Sequence, residues 1–241
     1  MINRDAYISS LTVSHGDRMS SAADVARCIT GIADACGFQL VGYKDRRERA
    51  TDLPPDGIEA MLPVKLARVV PFVFAAEHAA ELEVRWIPPA DPLLELGPVN
   101  RTMIWTRVDS SLGRDAGEKM MLSAVEWADA FYAELNDKRV TQLPVAPVYG
   151  CPHSEAVPHL AMANYFGEEY IKFFGGLKRI RAAGFAEVRP FHRGVYVQLG
   201  ADADFASYVK KRTEVEARLG PAGLFGGERD GLGAPRFRIG D

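Results

Sequence analysis

The densest group of side chains that could do chemistry is Cys151, His153, Glu155 and His159. Thiolate, imidazole and carboxylate groups all bind zinc, and a cysteine with a histidine base can attack a carbonyl carbon. The spacing is unlike that of a zinc site, because Cys151 and His153 lie two residues apart and no second cysteine pair follows. Because these residue types could still support catalysis, a metal- or Cys/His-dependent hydrolase is kept as an alternative. The favoured prediction is a protein without catalytic residues, metal or cofactor.

Other motifs that carry chemistry are incomplete. Ser154 lacks the Gly-x-Ser-x-Gly turn that presents a hydrolase nucleophile. The glycine pairs 175–176 and 226–227 match neither a phosphate-binding loop nor a dinucleotide fingerprint, so they predict turns. Glu81 and Glu83 alternate with apolar residues, which is typical of a solvated strand face and not of a magnesium-dependent nuclease site.

Composition and charge exclude several classes of protein. The 241 residues are 47% apolar and 25% charged, as in ordinary globular domains. The net charge of −3 offers no basic field, so we expect no nucleic-acid partner. Residues 1–14 contain no basic segment followed by an apolar run, and the apolar stretch 69–76 is too short to cross a bilayer. We therefore predict a cytoplasmic protein with no membrane partner.

The pattern of apolar residues predicts an α+β fold with mixed or antiparallel sheets flanked by helices. Ser21 and Asp24 form a capping box for a helix that ends at Gly37 and carries both Cys28 and Cys36. A loop is expected over 45–56, strands over 38–43, 69–76, 82–87, 101–108 and 159–163, and a long helix over 117–135.

The last third of the chain contains clear turn signals. Gly175 and Gly176 predict a break between two short helices, and Gly184 ends the second. Strands over 186–191 and 194–199 predict a hairpin that turns at residues 192–193. Pro190 restricts one of these strands to a sheet edge, or else lies at the end of its strand. A helix capped by Asp202 or Asp204 then extends to Leu219.

Four prolines fall within residues 142–158, which favours an extended connector. We predict a single domain over 1–241, with lobes 1–141 and 159–241 on either side of this connector.

Three short motifs lie between Asn164 and Leu199. They read NYFGEEY at 164–170, FFGGLKRI at 173–180 and GVYVQL at 194–199. This stretch resembles the C-terminal half of immunity proteins that bacteria make against polymorphic toxins, notably type VI secretion effectors. The structural signature residues of the resemblance are Tyr165, Phe166, Gly167, Gly175, Gly176, Gly194 and Tyr196.

The resemblance implies a non-catalytic antitoxin that binds a cognate secreted effector and neutralises it sterically. A nuclease is the preferred class of toxin, because cytoplasmic immunity is needed where the toxin attacks an internal substrate. We expect the toxin to contact carboxylates on predicted exposed loops or faces, namely Asp52, Asp56, Glu81 and Glu83. An effector-loading adaptor, which would bind its client without neutralising it, is the other alternative.

Overall fold

The computed structural model describes residues 6–14, 19, 21–44, 50–52, 57–59, 70–74, 80–86, 102–141, 160–200 and 204–220. The chain divides into two compact units, residues 1–130 and residues 131–241. The predicted connector 142–158 lies outside the described residues, so the predicted lobes 1–141 and 159–241 stay a prediction.

An antiparallel sheet forms the first unit. Its strands are β1 (Tyr7–Ser14), β2 (Leu40–Lys44), β3 (Ala50–Asp52), β4 (Val70–Phe74), β5 (Ala80–Trp86) and β6 (Thr102–Asp109). They pair in the order β3-β2-β4-β5-β6-β1, and the long β1–β6 pair runs from Tyr7 opposite Asp109 to Ser14 opposite Thr102. Strands β1 and β3 were not predicted from the sequence. β3 falls inside the expected loop 45–56.

Helix α1 (Ala22–Cys36) confirms the predicted capping signals. The Ser21 hydroxyl accepts from the Asp24 N–H, and the Asp24 carboxylate accepts from the Ser21 N–H in return. Gly37 ends the helix at φ 71°, a left-handed conformation that suits glycine. The buried face includes Val25, Cys28, Ile29 and Ile32.

The predicted helix over 117–135 is wrong beyond residue 128. Helix α2 (Arg114–Ala128) packs on β1 and β6, and Asp129 then ends it with a φ of 47°. Strand β7 (Ala130–Asp137) follows, and every residue of it is buried. A strand buried on both faces loses the alternation of apolar and polar residues that marks a half-exposed strand. In the sequence, Phe131, Tyr132 and Leu135 therefore continue the helical spacing of the apolar residues that precede them.

The second unit contains an antiparallel sheet in the order β7-β8-β10-β9. Its other strands are β8 (Ala163–Phe166), β9 (Glu187–Phe191) and β10 (Gly194–Gln198). β9 and β10 confirm the predicted hairpin, in which His192 takes a φ of 46°. β9 lies at one end of the described strand order, as Pro190 predicted. The strand expected at 159–163 instead begins at Ala163.

Helices α3 (Lys138–Thr141), α4 (Glu168–Phe173), α5 (Leu177–Ala182) and α6 (Phe205–Leu219) complete the second unit. Gly175 and Gly176 separate α4 from α5 with φ values of 81° and 97°, which confirms the predicted break. The Asp204 carboxylate accepts from the Ser207 N–H at the start of α6. The prediction of an α+β fold with antiparallel sheets flanked by helices is confirmed.

Candidate interaction surface

The aromatic residues of the signature form the core of the second unit. Tyr165, Phe166 and Tyr196 have no exposed surface, and neither does Tyr170. The Tyr170 ring lies 5.3 Å from Tyr132 and 5.7 Å from Phe166, measured between ring centroids. These residues therefore stabilise the fold, and a partner cannot reach them without unfolding.

Two signature glycines allow backbone segments to approach closely. A Cβ added to Gly194 would overlap the carbonyl oxygen of Phe166 and lie 2.7 Å from the Tyr165 hydroxyl. At Gly167, an added Cβ would lie 2.9 Å from the carbonyl oxygen of Phe131. Only glycine fits at these positions while the neighbouring strands stay hydrogen-bonded.

Two buried tyrosine hydroxyls of the second unit donate hydrogen bonds within it. The Tyr132 hydroxyl donates to the Glu134 carboxylate at 2.8 Å, and the Tyr208 hydroxyl donates to the Leu160 carbonyl oxygen at 2.9 Å. Burial, together with the nearby Glu134 charge, holds the pKa of Tyr132 well above its usual value. Burial also raises the pKa of Tyr208 to about 12, so both hydroxyls stay protonated donors.

Glu216 connects α6 to the segment before β8. Its carboxylate accepts from the Leu160 N–H at 2.8 Å and lies 3.8 Å from the Arg212 guanidinium. Burial raises the pKa of Glu216 above the usual glutamate value, although the Leu160 hydrogen bond and the Arg212 charge act in the opposite direction. The folded protein therefore binds a proton here more tightly than the unfolded chain.

We expect Glu216→Gln to change how stability depends on pH. A raised folded pKa contributes stability that is fully present below the unfolded pKa and is lost as pH rises through the folded pKa. Glutamine keeps an acceptor for Leu160 but does not titrate. Over the range from about pH 4 upwards, the free energy of unfolding of the wild type should fall relative to that of the variant. Urea unfolding across this range measures the difference, and parallel pH profiles would contradict the expectation.

The predicted acidic contacts occupy different environments in the first unit. Asp52 is exposed at the end of β3, and Asp56 lies outside the described residues. Glu81 and Glu83 are half-buried on β5, where the Arg107 guanidinium lies 3.7 Å from Glu81 and 2.9 Å from Glu83. The Arg107 charge offsets part of the negative charge on this strand face, whereas the Asp52 side chain extends into solvent.

The hydrolase alternative rests on Cys151, His153 and His159, and all three lie outside the described residues. Burial raises the pKa of the Cys28 thiol to about 12 and also raises that of Cys36. Neither helix cysteine is therefore a thiolate near neutral pH. Within the described ranges, no group of three His, Cys, Asp or Glu residues could hold a metal ion.

An open groove of about 530 Å³ lies along α1 in the first unit. Its walls come from α1, the start of β2 and the helical residues 57–59. Thr30 and Asp34 line it from α1, Leu40 from β2, and Ile58 and Glu59 from the third segment. Thr30, Asp34 and Glu59 are exposed, whereas Ile58 is buried. We call this feature the α1 groove.

The α1 groove is not evident from the sequence. Ala26, Thr30, Ala33 and Asp34 follow one another at helical spacing on one stripe of α1. That spacing identifies a shared face but does not reveal which segments lie beside it. Residues 57–59 meet this face only through tertiary structure, so no local pattern predicts the groove.

Comparison with known proteins shows a similarity of fold. No family model matches the chain, and no curated protein matches it. Its fold is similar to that of a type VI secretion protein. That solved structure is described as the Pseudomonas aeruginosa T6SS protein PA0821, with a TM-score of 0.58 and 9% sequence identity. The similarity covers 88% of this chain and 76% of the other. At this identity, the similarity concerns the fold.

Among the helices of the described ranges, none combines the length and apolar character needed to cross a bilayer.

Proposed function

We propose that this protein is an immunity protein that binds a cognate type VI secretion effector and blocks it sterically. The observation that carries the proposal is the fold similarity to a T6SS protein, which extends over 88% of the chain. The resemblance of residues 164–199 to toxin immunity proteins is independent support, since it rests on sequence motifs. The protein would act without catalysis, in the cytoplasm of the producing cell.

A nuclease is the proposed class of effector. Proteins that bind nucleic acid carry basic surfaces for phosphate, and an inhibitor that covers such a surface benefits from negative charge. The net charge of −3 and the exposed carboxylate of Asp52 agree with this role. Asp56, Glu81 and Glu83 remain proposed contacts together with Asp52, although Arg107 offsets part of the charge on Glu81 and Glu83.

Co-expression with the protein encoded by the neighbouring reading frame tests the proposal. We expect that protein alone to stop growth, and co-expression of this chain to restore it through a stable complex of the two proteins. Size-exclusion chromatography with a catalytically inactive effector would show whether the pair co-elutes. Growth arrest that persists despite co-expression would contradict the immunity function.

Two further outcomes separate the alternatives. Binding without rescue would favour an effector-loading adaptor. A stoichiometric, tightly held metal in the purified protein would favour the hydrolase alternative, since its ligands would come from the Cys151, His153 and His159 region.

A further inference from the structure

We infer that the α1 groove receives an arginine or lysine side chain from the effector, together with an adjacent apolar residue. The inference rests on the proposed function, because it assigns part of the surface that contacts the toxin. It also differs from the sequence-based interface, since neither ionisable residue that lines the groove was among the predicted contacts.

The charge of the groove defines the kind of side chain that fits. Among the described residues that line the groove, Asp34 and Glu59 are the ionisable ones, and both are acidic and exposed. Within the described part of the chain, neither carboxylate forms an ion pair. By contrast, Asp24 on the same helix is already paired with Arg27. The groove therefore presents two carboxylates that a cation from a partner can neutralise.

The lining of the groove favours a long basic side chain over a compact cation. The same groove is lined by apolar residues, of which Phe38 and Leu40 are half-buried and Ala33 and Ile58 are buried. Arginine and lysine have aliphatic stems that pack on apolar surface while their charged ends remain near water. The groove volume of about 530 Å³ accommodates such a side chain and a neighbouring apolar residue. A basic effector surface of the kind that binds nucleic acid would supply these residues.

Blocking the groove with a bulky side chain gives the sharpest test. Thr30→Trp places an indole at the wall of the groove, and Thr213→Trp is a matched control on α6. Both threonines are exposed, and each donates its hydroxyl hydrogen to the carbonyl oxygen four residues earlier, at Ala26 and Val209. The two substitutions thus remove the same local hydrogen bond. Only the first obstructs the groove.

The charge of the groove is tested separately. Asp34→Lys with Glu59→Lys reverses both carboxylates, while Asp115→Lys with Glu126→Lys makes the same net change on exposed sites of α2. The paired comparison separates a local contact from long-range attraction, because the total charge of the two variants is equal. Asp34→Asn with Glu59→Gln removes the charges at nearly constant shape, in case the reversed variant does not fold.

Isothermal titration with the inactivated effector from the neighbouring reading frame provides the readout. We expect Thr30→Trp and the Asp34/Glu59 variants to weaken binding by about tenfold or more, and the controls to remain within about twofold of wild type. Groove variants that bind as tightly as a wild type that still neutralises the effector would overturn the inference alone. A wild type that does not bind the effector would contradict the proposed function and, with it, this inference.

Discussion

Tyr170→Ala is expected to lower the free energy of unfolding by about 4 kcal/mol, the range found when large buried side chains are truncated. The Tyr170 ring has no exposed surface and lies within 6.4 Å of four other rings, those of Phe131, Tyr132, Phe166 and Phe174. Truncation would remove all four contacts and leave a cavity that the β-sheet cannot collapse to fill. Urea unfolding followed by circular dichroism measures the loss.

Phe173→Ala is the matched control for Tyr170→Ala. Phe173 lies on the same short helix, α4, but is only half-buried. We expect its truncation to cost about 1 kcal/mol, because part of the ring is already in water. A loss at Phe173 equal to that at Tyr170 would mean that α4 as a whole stabilises the unit, and that Tyr170 has no special place in its core.

Gly194→Ala is expected to destabilise the protein by about 3 kcal/mol through overpacking. The added methyl group would overlap the Phe166 carbonyl oxygen, which is a backbone atom of the neighbouring strand. β10 cannot move away without weakening its pairing with β8, where Val195 lies opposite Phe166. The midpoint of thermal unfolding, measured with the free energy in urea, reports this loss.

Gly176→Ala separates steric overlap from backbone strain. At Gly176 an added Cβ would meet no atom within 4 Å, but φ is 97°. Alanine there is expected to cost about 2 kcal/mol from the backbone conformation alone, because a positive φ combined with a ψ of 164° is almost exclusive to glycine. Gly194 does not have a positive φ, so its larger loss would come from overlap. Equal losses at the two sites would argue against the close approach of β8 and β10.

Local signals in the sequence predicted much of the fold, because they act over a few residues. The capping box at Ser21, the glycine break at Gly175 and the hairpin turn at His192 each follow from short-range chemistry. The boundary between α2 and β7 was missed, since Asp129 carries no strong stop signal and β7 is buried on both faces. Burial on both faces is a tertiary property, and it removes the alternation on which strand prediction depends.

The candidate surface was much harder to predict than the fold. The signature from Asn164 to Leu199 was identified from its glycines and aromatic residues, and most of these aromatic residues are buried in the core, namely Tyr165, Phe166, Tyr170, Phe174 and Tyr196. Motifs that preserve a core say little about what the surface binds. Asp34 and Glu59 line the same α1 groove, although they are far apart in the sequence and belong to different elements. No local pattern in the sequence could therefore bring them together.

The edge of β9, the outer strand of the hairpin, is poorly suited to pairing with a strand of a second molecule. Pro190 removes one backbone N–H from β9, and the neighbouring Arg189 and Glu187 are joined by an ion pair at 2.9 Å. A strand from a second molecule that paired with β9 would find no N–H donor at Pro190. It would also lie beside the charged side chains of Arg189 and Glu187. Such an edge discourages polymerisation into fibrils. An edge of this kind lets the protein accumulate without forming fibrils, as the proposed immunity function would require.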